Sequence, residues 1–573
     1  MPAPDNQEKT SGNAISRYVR THTNPAVFGI SVVIILAFLI AGLAFTDATS
    51  SAAAAALEFI TTNFGWFYIL IATFFLVFVL AVMLSRYGRL RLGPDDSRPQ
   101  YRTLPWFAML FTAGMGIGLV FFGVYEAPFH MQNAPIAATS ESQAATEAMS
   151  LTIFHWGLHP WAIYIVLGMS MGYFCFRRNL PLRPAAGFYP LIGDRIYGWV
   201  GNLIDILAVF GTLFGLSTSL GFGAQQVNAG LEEVFGIPIN PTVQVLIIAL
   251  ITAIAVVSVM LGIDRGIRRL SVLNLGLAVL LMVIIFAVGP KLYIFTGLAN
   301  YTGFYLQNLV GTSFEVFHPQ TQSQAASWQA GWTLFYWGWW MSWSPFVGMF
   351  IARISYGRTL RQFIGGTLLA PVAASIVWFS VLGGTGLYYQ LAGRVDIGGS
   401  APEQAMFLLV NELPLGTVAA IAVSLLTVLV VTLFFATSSD SGSLVVDMLT
   451  NGGDPHPIRA QRLFWAVTEG AVAAVLLWVG GSTALDALQA ASIAAGLPFA
   501  VVLLFLSIGL SRALYREPVA AAPSAAWMAT TAARRHDLSE HEPISESRTS
   551  EATEDESRAS EAPEDKEGPS SGG

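Results

Sequence analysis

Residues 336–345 read Tyr336-Trp337-Gly338-Trp339-Trp340-Met341-Ser342-Trp343-Ser344-Pro345. Four of the chain's fifteen tryptophans fall in the seven positions from 337 to 343, in a segment with no charge until Arg353. Tryptophan is usual at membrane interfaces, where its amphipathic ring sits at headgroup level. A cluster in mid-span, interrupted by Gly338 and followed by Pro345, points instead to a binding surface made of π-faces. The guest that such a surface favours is a cation without hydrogen-bond donors.

The surrounding chain is a bilayer protein by composition. Of 573 residues, 54% are apolar and 11% charged, and the mean hydropathy is +0.58; a soluble domain usually holds about 25% charged residues. Cys175 is the single cysteine, which excludes an internal disulfide and a cysteine-built metal site. No Gly-x4-Gly-Lys-Ser/Thr motif occurs, and no polar region is long enough for a nucleotide-binding domain. Direct drive by ATP is therefore not expected, and neither a nucleophile–base pair nor a metal cluster argues for an enzyme. An ion-coupled secondary transporter fits best. A channel or a solute receptor shares the composition, and saturable uptake against a gradient separates them.

A transmembrane helix needs about 20 mostly apolar residues. On that basis the sequence predicts an all-α integral membrane protein with twelve spans, near 25–46, 63–86, 105–126, 150–176, 199–223, 242–264, 272–297, 329–353, 363–391, 416–438, 460–481 and 486–511. The apolar pieces 300–314 and 402–412 read as surface helices. Arginines crowd the connections after the even-numbered spans, as in Arg86, Arg89, Arg91, Arg98 and Arg102, whereas Arg394 alone falls after an odd-numbered one. The positive-inside rule then places both termini in the cytoplasm of a multi-pass cell-membrane protein. The segment 1–24 is a polar tail too acidic for a signal peptide. From 512 to 573 the chain becomes Ala-rich and then acidic, with twelve Asp/Glu from Asp537 on. Such a tail buries too little surface to fold alone and is expected to be disordered.

Span 3 contains Gly114-Met115-Gly116-Ile117-Gly118. Glycines at alternate positions weaken a helix by about 1 kcal/mol each. They serve either close helix packing, with Gly114 and Gly118 four apart, or an opened backbone lining an enclosed cavity. Span 8 is expected to be interrupted too, at Gly338 and Pro345, which would make a matched pair of broken helices five spans apart. In span 4, Trp156, Trp161 and Tyr164 share one helix face, as either an interfacial belt or part of a box. His155 and His159 stand four apart, but no carboxylate or cysteine accompanies them in sequence, so they read as structural. At the end of span 10, Thr437 and Ser438 are hard oxygen donors suited to Na+, and Asp440 reads as a helix-pairing or snorkelling charge.

Together these segments closely resemble the betaine/carnitine/choline transporter family over roughly residues 25–510. The most specific pieces are Gly114 to Gly118, His155 to Tyr164, Phe188-Tyr189-Pro190-Leu191-Ile192-Gly193, and Phe335 to Arg353. The resemblance implies a leucine-transporter-type fold of two inverted five-helix repeats, spans 3–7 and 8–12, preceded by two extra helices. The domains expected on that pattern are 1–24, 25–104 (extra helices), 105–298 (first repeat), 299–328 (extracellular surface helix and loop), 329–511 (second repeat) and 512–573. The resemblance further implies a homotrimer in contact with membrane lipids, with no nucleic-acid partner and no cofactor beyond Na+ as coupling ion.

By the same resemblance, Trp156, Trp161, Tyr164 and Trp340 form an aromatic box for a quaternary ammonium group. Trp339 and Trp343 line the path inward, and Met115, Gly116 and Gly118 face the substrate carboxylate. A second sodium site falls on Thr112, Met115, Phe434, Thr437 and Ser438, and a first on Thr212 and Phe346. Leu216 departs from the pattern: it stands where a second threonine of the first site is expected and offers no oxygen, although Ser217 and Thr218 are close in sequence. The function implied is import of glycine betaine or a related compatible solute such as ectoine by Na+ symport with alternating access, for osmoprotection. The alternatives are proton-coupled choline import and sodium-independent carnitine/betaine exchange.

Overall fold

The computed structural model describes residues 22–114, 116–135, 138–261, 264–454, 456 and 458–518, all within one compact unit, Met1–Val519. Most of the expected N-terminal tail, and the acidic tail beyond 518, lie outside the described residues. Asn24 Oδ1 accepts from the backbone N–H groups of Ala26 and Val27, with Pro25 at the first helical position, and so starts α1 (Pro25–Ala44). Such capping satisfies donors that a helix start leaves free. The 39-residue α2 (Thr46–Leu84) follows. Next come α3 (Thr103–Gly114), α4 (Ile117–Phe121) and α5 (Glu126–Gln132), then α6 (Glu141–Trp156) and α7 (Leu158–Met171), which meet at Gly157. The first half ends with α8 (Trp199–Phe235), α9 (Pro241–Leu261), α10 (Asp264–Val288) and α11 (Lys291–Ser313).

The second half opens with α12 (Ser323–Gln329), wide π-type turns over Ala330–Leu334, and α13 (Phe335–Arg353). A capping box of Thr359 and Gln362 starts α14 (Leu360–Leu391). The short α15 (Ala405–Glu412) precedes α16 (Thr417–Thr450), α17 (Arg459–Gly480) and α18 (Ala484–Tyr515). Among the described residues there is no strand, only an isolated bridge between Arg91 and Thr359. Large apolar side chains are exposed along α1 (Val33, Ile40, Leu43) and α9 (Leu246, Leu250, Val257), as surfaces facing lipid require.

Among the described residues, nine helices are long and apolar enough to cross a membrane, or ten if α10 and α11, bent by 113° at their joint, make one span. The two expected spans outside that set are 105–126 and 329–353. The first is cut into α3 and α4; the second is loaded with Trp, Tyr, Ser and Gly.

Several boundaries differ from the sequence expectation. The helix of span 2 starts at Thr46 instead of 63, that of span 4 starts at Glu141 and breaks at Gly157, and those of spans 5 and 10 run on to Phe235 and Thr450, because polar or small residues extend each helix beyond its most apolar stretch. Span 8 is not interrupted at Gly338 or Pro345, because α13 runs through both. A proline lacks the N–H that would bond the carbonyl four residues back; here the Ser344 hydroxyl donates to Met341 O at 2.7 Å and satisfies that carbonyl. Gly338 marks a crossing with α18: a Cβ on Gly338 would lie 2.8 Å from Ile493 Cα, and one on Gly496 would lie 2.5 Å from Gly338 O. Span 7 ends earlier than 297, since Gly289 and Pro290 follow Val288 and α11 begins at Lys291 rather than near 300. At the other end α18 continues past 511 to Tyr515. Glu517 is then tied to Arg177 at 2.6 Å, Arg178 at 2.7 Å and the Tyr173 hydroxyl at 2.7 Å.

The α13–α18 crossing depends on two bare glycine positions. Gly496→Val should destabilise the protein by roughly 1–3 kcal/mol through overpacking, read as a lower thermal unfolding midpoint in detergent. An unchanged midpoint would contradict the close crossing.

Candidate binding site

The α3 helix ends at Gly114 and α4 restarts at Ile117, with Gly116 at φ −139°, ψ −136° between them. A helix break leaves carbonyls free on one side and amides free on the other. Two residues on, a Cβ at Gly118 would stand 2.4 Å from Trp339 Cη2 and 2.9 Å from Trp156 Cη2. The glycine repeat therefore has both uses. Gly116 occupies the break, and Gly118 lets two indoles press against the backbone beyond it.

On α13, Tyr336, Trp339, Trp340 and Trp343 follow the i, i+3, i+4, i+7 spacing that puts side chains on one helix face. That face meets Trp156 from the end of α6 and Trp161 and Tyr164 from α7. Ring centroids lie 5.0 Å apart for Trp156–Trp340, 6.2 Å for Tyr164–Trp340 and 5.6 Å for Trp161–Tyr164. Trp339 stacks on Trp340 at 4.5 Å, and Trp343 stands 6.3 Å from Tyr164. All four expected box residues are thus gathered in one cluster, with Trp339 and Trp343 continuing it. These are distances of direct ring–ring contact. Trp156 and Trp340 are 2% exposed and Trp161 and Tyr164 1%, so water does not reach the ring faces in this conformation. Trp337 takes no part: it stacks on His159 at 5.3 Å and packs on Phe154.

Hydrogen bonds hold two of the indoles in place. Trp340 Nε1 donates to His155 O at 2.9 Å and Trp339 Nε1 to Gly215 O at 3.2 Å. The Tyr164 hydroxyl and Trp343 Nε1 are buried and have no hydrogen-bond partner among the described residues. Buried polar groups are normally bonded, so both are positions where a polar guest would be held.

Sequence reasoning missed Glu126. It is fully buried, and its Oε1 meets His155 Nδ1 at 2.7 Å and His130 Nε2 at 3.4 Å. Its Oε2 accepts from Trp156 Nε1 at 2.8 Å and from the Tyr336 hydroxyl at 2.5 Å. The carboxylate that His155 lacks in local sequence thus arrives from 29 residues earlier, while His159 bonds Ser313 instead, at 3.2 Å. Glu126, His130 and His155 also have ligand atoms within 4.8 Å of one another, the one such trio among the described residues. The carboxylate already receives four contacts, and the trio acts as a hydrogen-bonded anchor for Trp156 and Tyr336.

The expected ion positions are placed less completely. Met115 lies outside the described residues, as does the Thr112 side chain. Ser438 Oγ stands 3.8 Å from where a Cβ on Gly116 would be, so the break and the hydroxyl-rich part of α16 adjoin. Thr437 Oγ1 donates to Leu433 O at 2.8 Å and lies 3.2 Å from Phe434 O. Thr212 lies on α8 where Gly211 and Gly215 pack against Ser342 of α13, and its buried hydroxyl has no partner. Phe346 sits one turn beyond, its ring 5.7 Å from Trp343. Leu216 packs on Gly442 of α16. The hydroxyls of Ser217 and Thr218 are already engaged, bonding Glu469 O at 3.1 Å and Leu488 O at 3.1 Å. Asp440 pairs with Arg462 at 2.7 Å, which accounts for it as a helix-pairing charge.

A separate cleft of about 320 Å³ lies between α6 and α11, lined by Glu141, Ser142, Tyr293, Thr296 and Tyr301. It shares no residue with the ring cluster.

Glu126→Gln replaces one accepting oxygen with a donor facing donors. Disturbing a buried bond of this kind costs about 1–3 kcal/mol. The half-saturating solute concentration should rise roughly tenfold in an uptake assay, with unchanged amounts of protein in the membrane. An unchanged value would make the anchor dispensable.

Residues 26–519 match the family described as "BCCT, betaine/carnitine/choline family transporter". The chain is 42% identical over 503 residues to glycine betaine transporter 1 of Vibrio parahaemolyticus, covering 86% of this chain and 94% of that one. It is 40% identical over 493 residues to a glycine betaine transporter of Bacillus subtilis, covering 86% and 94%. A glycine betaine/proline/choline transporter of Vibrio parahaemolyticus is 39% identical over 510 residues, covering 86% and 90%. With its apolar helices and a family match across nearly its whole membrane region, the chain is a multi-pass membrane transporter and not an enzyme, and it belongs to the betaine/carnitine/choline transporter family.

Proposed function

We propose that this transporter imports glycine betaine or a closely related quaternary-ammonium solute by Na+ symport. The observation that carries the reading is the buried cluster of Trp156, Trp161, Tyr164 and Trp340. A trimethylammonium group cannot donate hydrogen bonds, so a carboxylate would hold it no better than it holds Na+ or an amine. A desolvated π-face contributes about 2 kcal/mol or more to binding such a cation and does not compete for hydrated ions. The solute carboxylate would face the chain from Met115 to Gly118, where the helix is broken at Gly116, and the unpartnered Tyr164 hydroxyl and Trp343 Nε1 are further donors for it.

Because the rings are closed on one another, the solute enters only when they part. Alternating access follows: two inverted repeats, spans 3–7 and 8–12 of a twelve-span chain, rock about the cluster while the termini stay cytoplasmic. Neutral oxygens at Thr437 and Ser438, next to the Gly116 break, suit Na+, which needs no formal charge from its ligands. Ectoine, another compatible solute, would use the same faces less strongly, because its cationic charge carries hydrogen-bond donors. A homotrimer embedded in lipid is the assembly we propose from family resemblance.

Proton-coupled choline import is the second reading, favoured by the choline in the printed name of one Vibrio relative. The two separate in proteoliposomes. Betaine uptake should be severalfold faster with an inward Na+ gradient than with equal Na+ on both sides at constant pH. Equal rates would contradict Na+ symport, and uptake of choline driven by a pH gradient alone would favour the second reading.

A further inference from the structure

One buried acid is used neither by the ring cluster nor by the sodium positions. Glu469 of α17 is fully buried. Its Oε2 accepts from the Ser439 hydroxyl at 3.2 Å, and its Oε1 has no hydrogen-bond partner among the described residues. The room around it comes from Gly442 of α16. A Cβ there would stand 3.0 Å from Oε1 and 3.4 Å from Oε2, and 2.2 Å from Leu216 Cδ1. The carboxylate therefore lies at the α8–α16 crossing, beside the leucine that replaces the expected oxygen.

No described neighbour neutralises it. From α16 the nearest charge is Asp440, which repels it and is itself paired with Arg462 at 2.7 Å. Arg462 lies on the same helix seven residues away, about 10 Å of helical rise. From α8 the facing groups are Leu216 and Ser217, and the latter bonds the Glu469 backbone. The α1 and α9 helices, also packed on α17, carry no charged residue. Asp486 and Arg512 of α18, and Asp47 and Glu58 of α2, form no described ion pair with it.

A carboxylate held in a dry interior without a counter-charge is strongly disfavoured unless a cation or a proton neutralises it. Ionisable groups inside a membrane domain usually mark ion pathways. We propose that Glu469 and Ser439 form a monovalent-cation site, filled by Na+ or by a proton, that binds the second cation moved with each solute molecule. The formal charge of Glu469 then takes over what Leu216 cannot supply. This rests on the reading of the protein as an ion-coupled importer and adds where the second ion binds.

The test uses the full-length protein in liposomes at zero membrane potential, with radiolabelled glycine betaine. One arm applies an inward Na+ gradient of about tenfold at equal pH, and the other adds an inward proton gradient of about one pH unit. Each coupled cation multiplies the accumulation limit by about tenfold. Wild type should therefore reach about a hundredfold in the first arm if the second ion is Na+, and only in the second arm if it is a proton. Glu469→Gln should reduce that limit to about tenfold in whichever arm applies. Ser439→Ala, a milder change, should raise severalfold the concentration of the same ion needed for half-maximal uptake. If wild type stops at about tenfold in both arms, a single cation is coupled and the site is overturned; this result needs no variant to fold. A hundredfold limit that Glu469→Gln leaves intact overturns it equally. Failure of wild type to accumulate betaine in either arm contradicts the importer reading itself, and the proposed role of Glu469 falls with it.

Discussion

A carboxylate can stay in a dry protein interior only if its oxygens are bonded, and Glu126 meets that condition by drawing donors from three helices. His130 comes from α5, His155 and Trp156 from α6, and Tyr336 from α13. Rings alone are smooth and make no directional bonds through their faces. The carboxylate turns two of them, Trp156 and Tyr336, into fixed walls by their polar edges. The His155 carbonyl does the same for Trp340. The π-faces remain free for a guest while the N–H and O–H groups are spent on the scaffold.

The two glycine-bearing helices serve this cluster in different ways. The α3–α4 break puts loose backbone next to the rings, with Gly118 pressed under Trp156 and Trp339. The α13 helix instead stays whole, so that its aromatic stripe keeps a single helical face. Ser344 repairs the bond that Pro345 would cost, and Gly338 lets α18 support the stripe from behind. One helix is opened and the other braced, although both carry residues that weaken an isolated helix.

Much of this was legible in the sequence. The tryptophan spacing and the glycine repeat are local patterns, and the fold gathers the rings into one cluster and puts the helix break at Gly116; the Thr437 hydroxyl bonds back to its own helix. Gly338 and Pro345 misled because their effect depends on Ser344 and on a helix some 150 residues away. Glu126 gave no signal, since it ends an apolar span and its partners lie between 4 and 210 positions along the chain. Glu469 was equally silent in the middle of α17, and only the fold shows that it faces Leu216 and Gly442. Buried charge is hard to read from sequence for this reason: its cost and its use are both set by distant residues.

The central claim is that the solute's positive charge is recognised by aromatic faces, and an uncharged isostere isolates that term. Replacing the nitrogen of glycine betaine by carbon gives 3,3-dimethylbutanoate, with nearly the same shape and the same carboxylate. Titrating both against the purified transporter in saturating Na+, with tryptophan fluorescence as the readout, compares them directly. Loss of a desolvated cation–π contact of about 2 kcal/mol predicts binding of the isostere weaker by roughly thirtyfold or more. Equal affinity for the two compounds would mean that the rings recognise only shape, and would contradict the account.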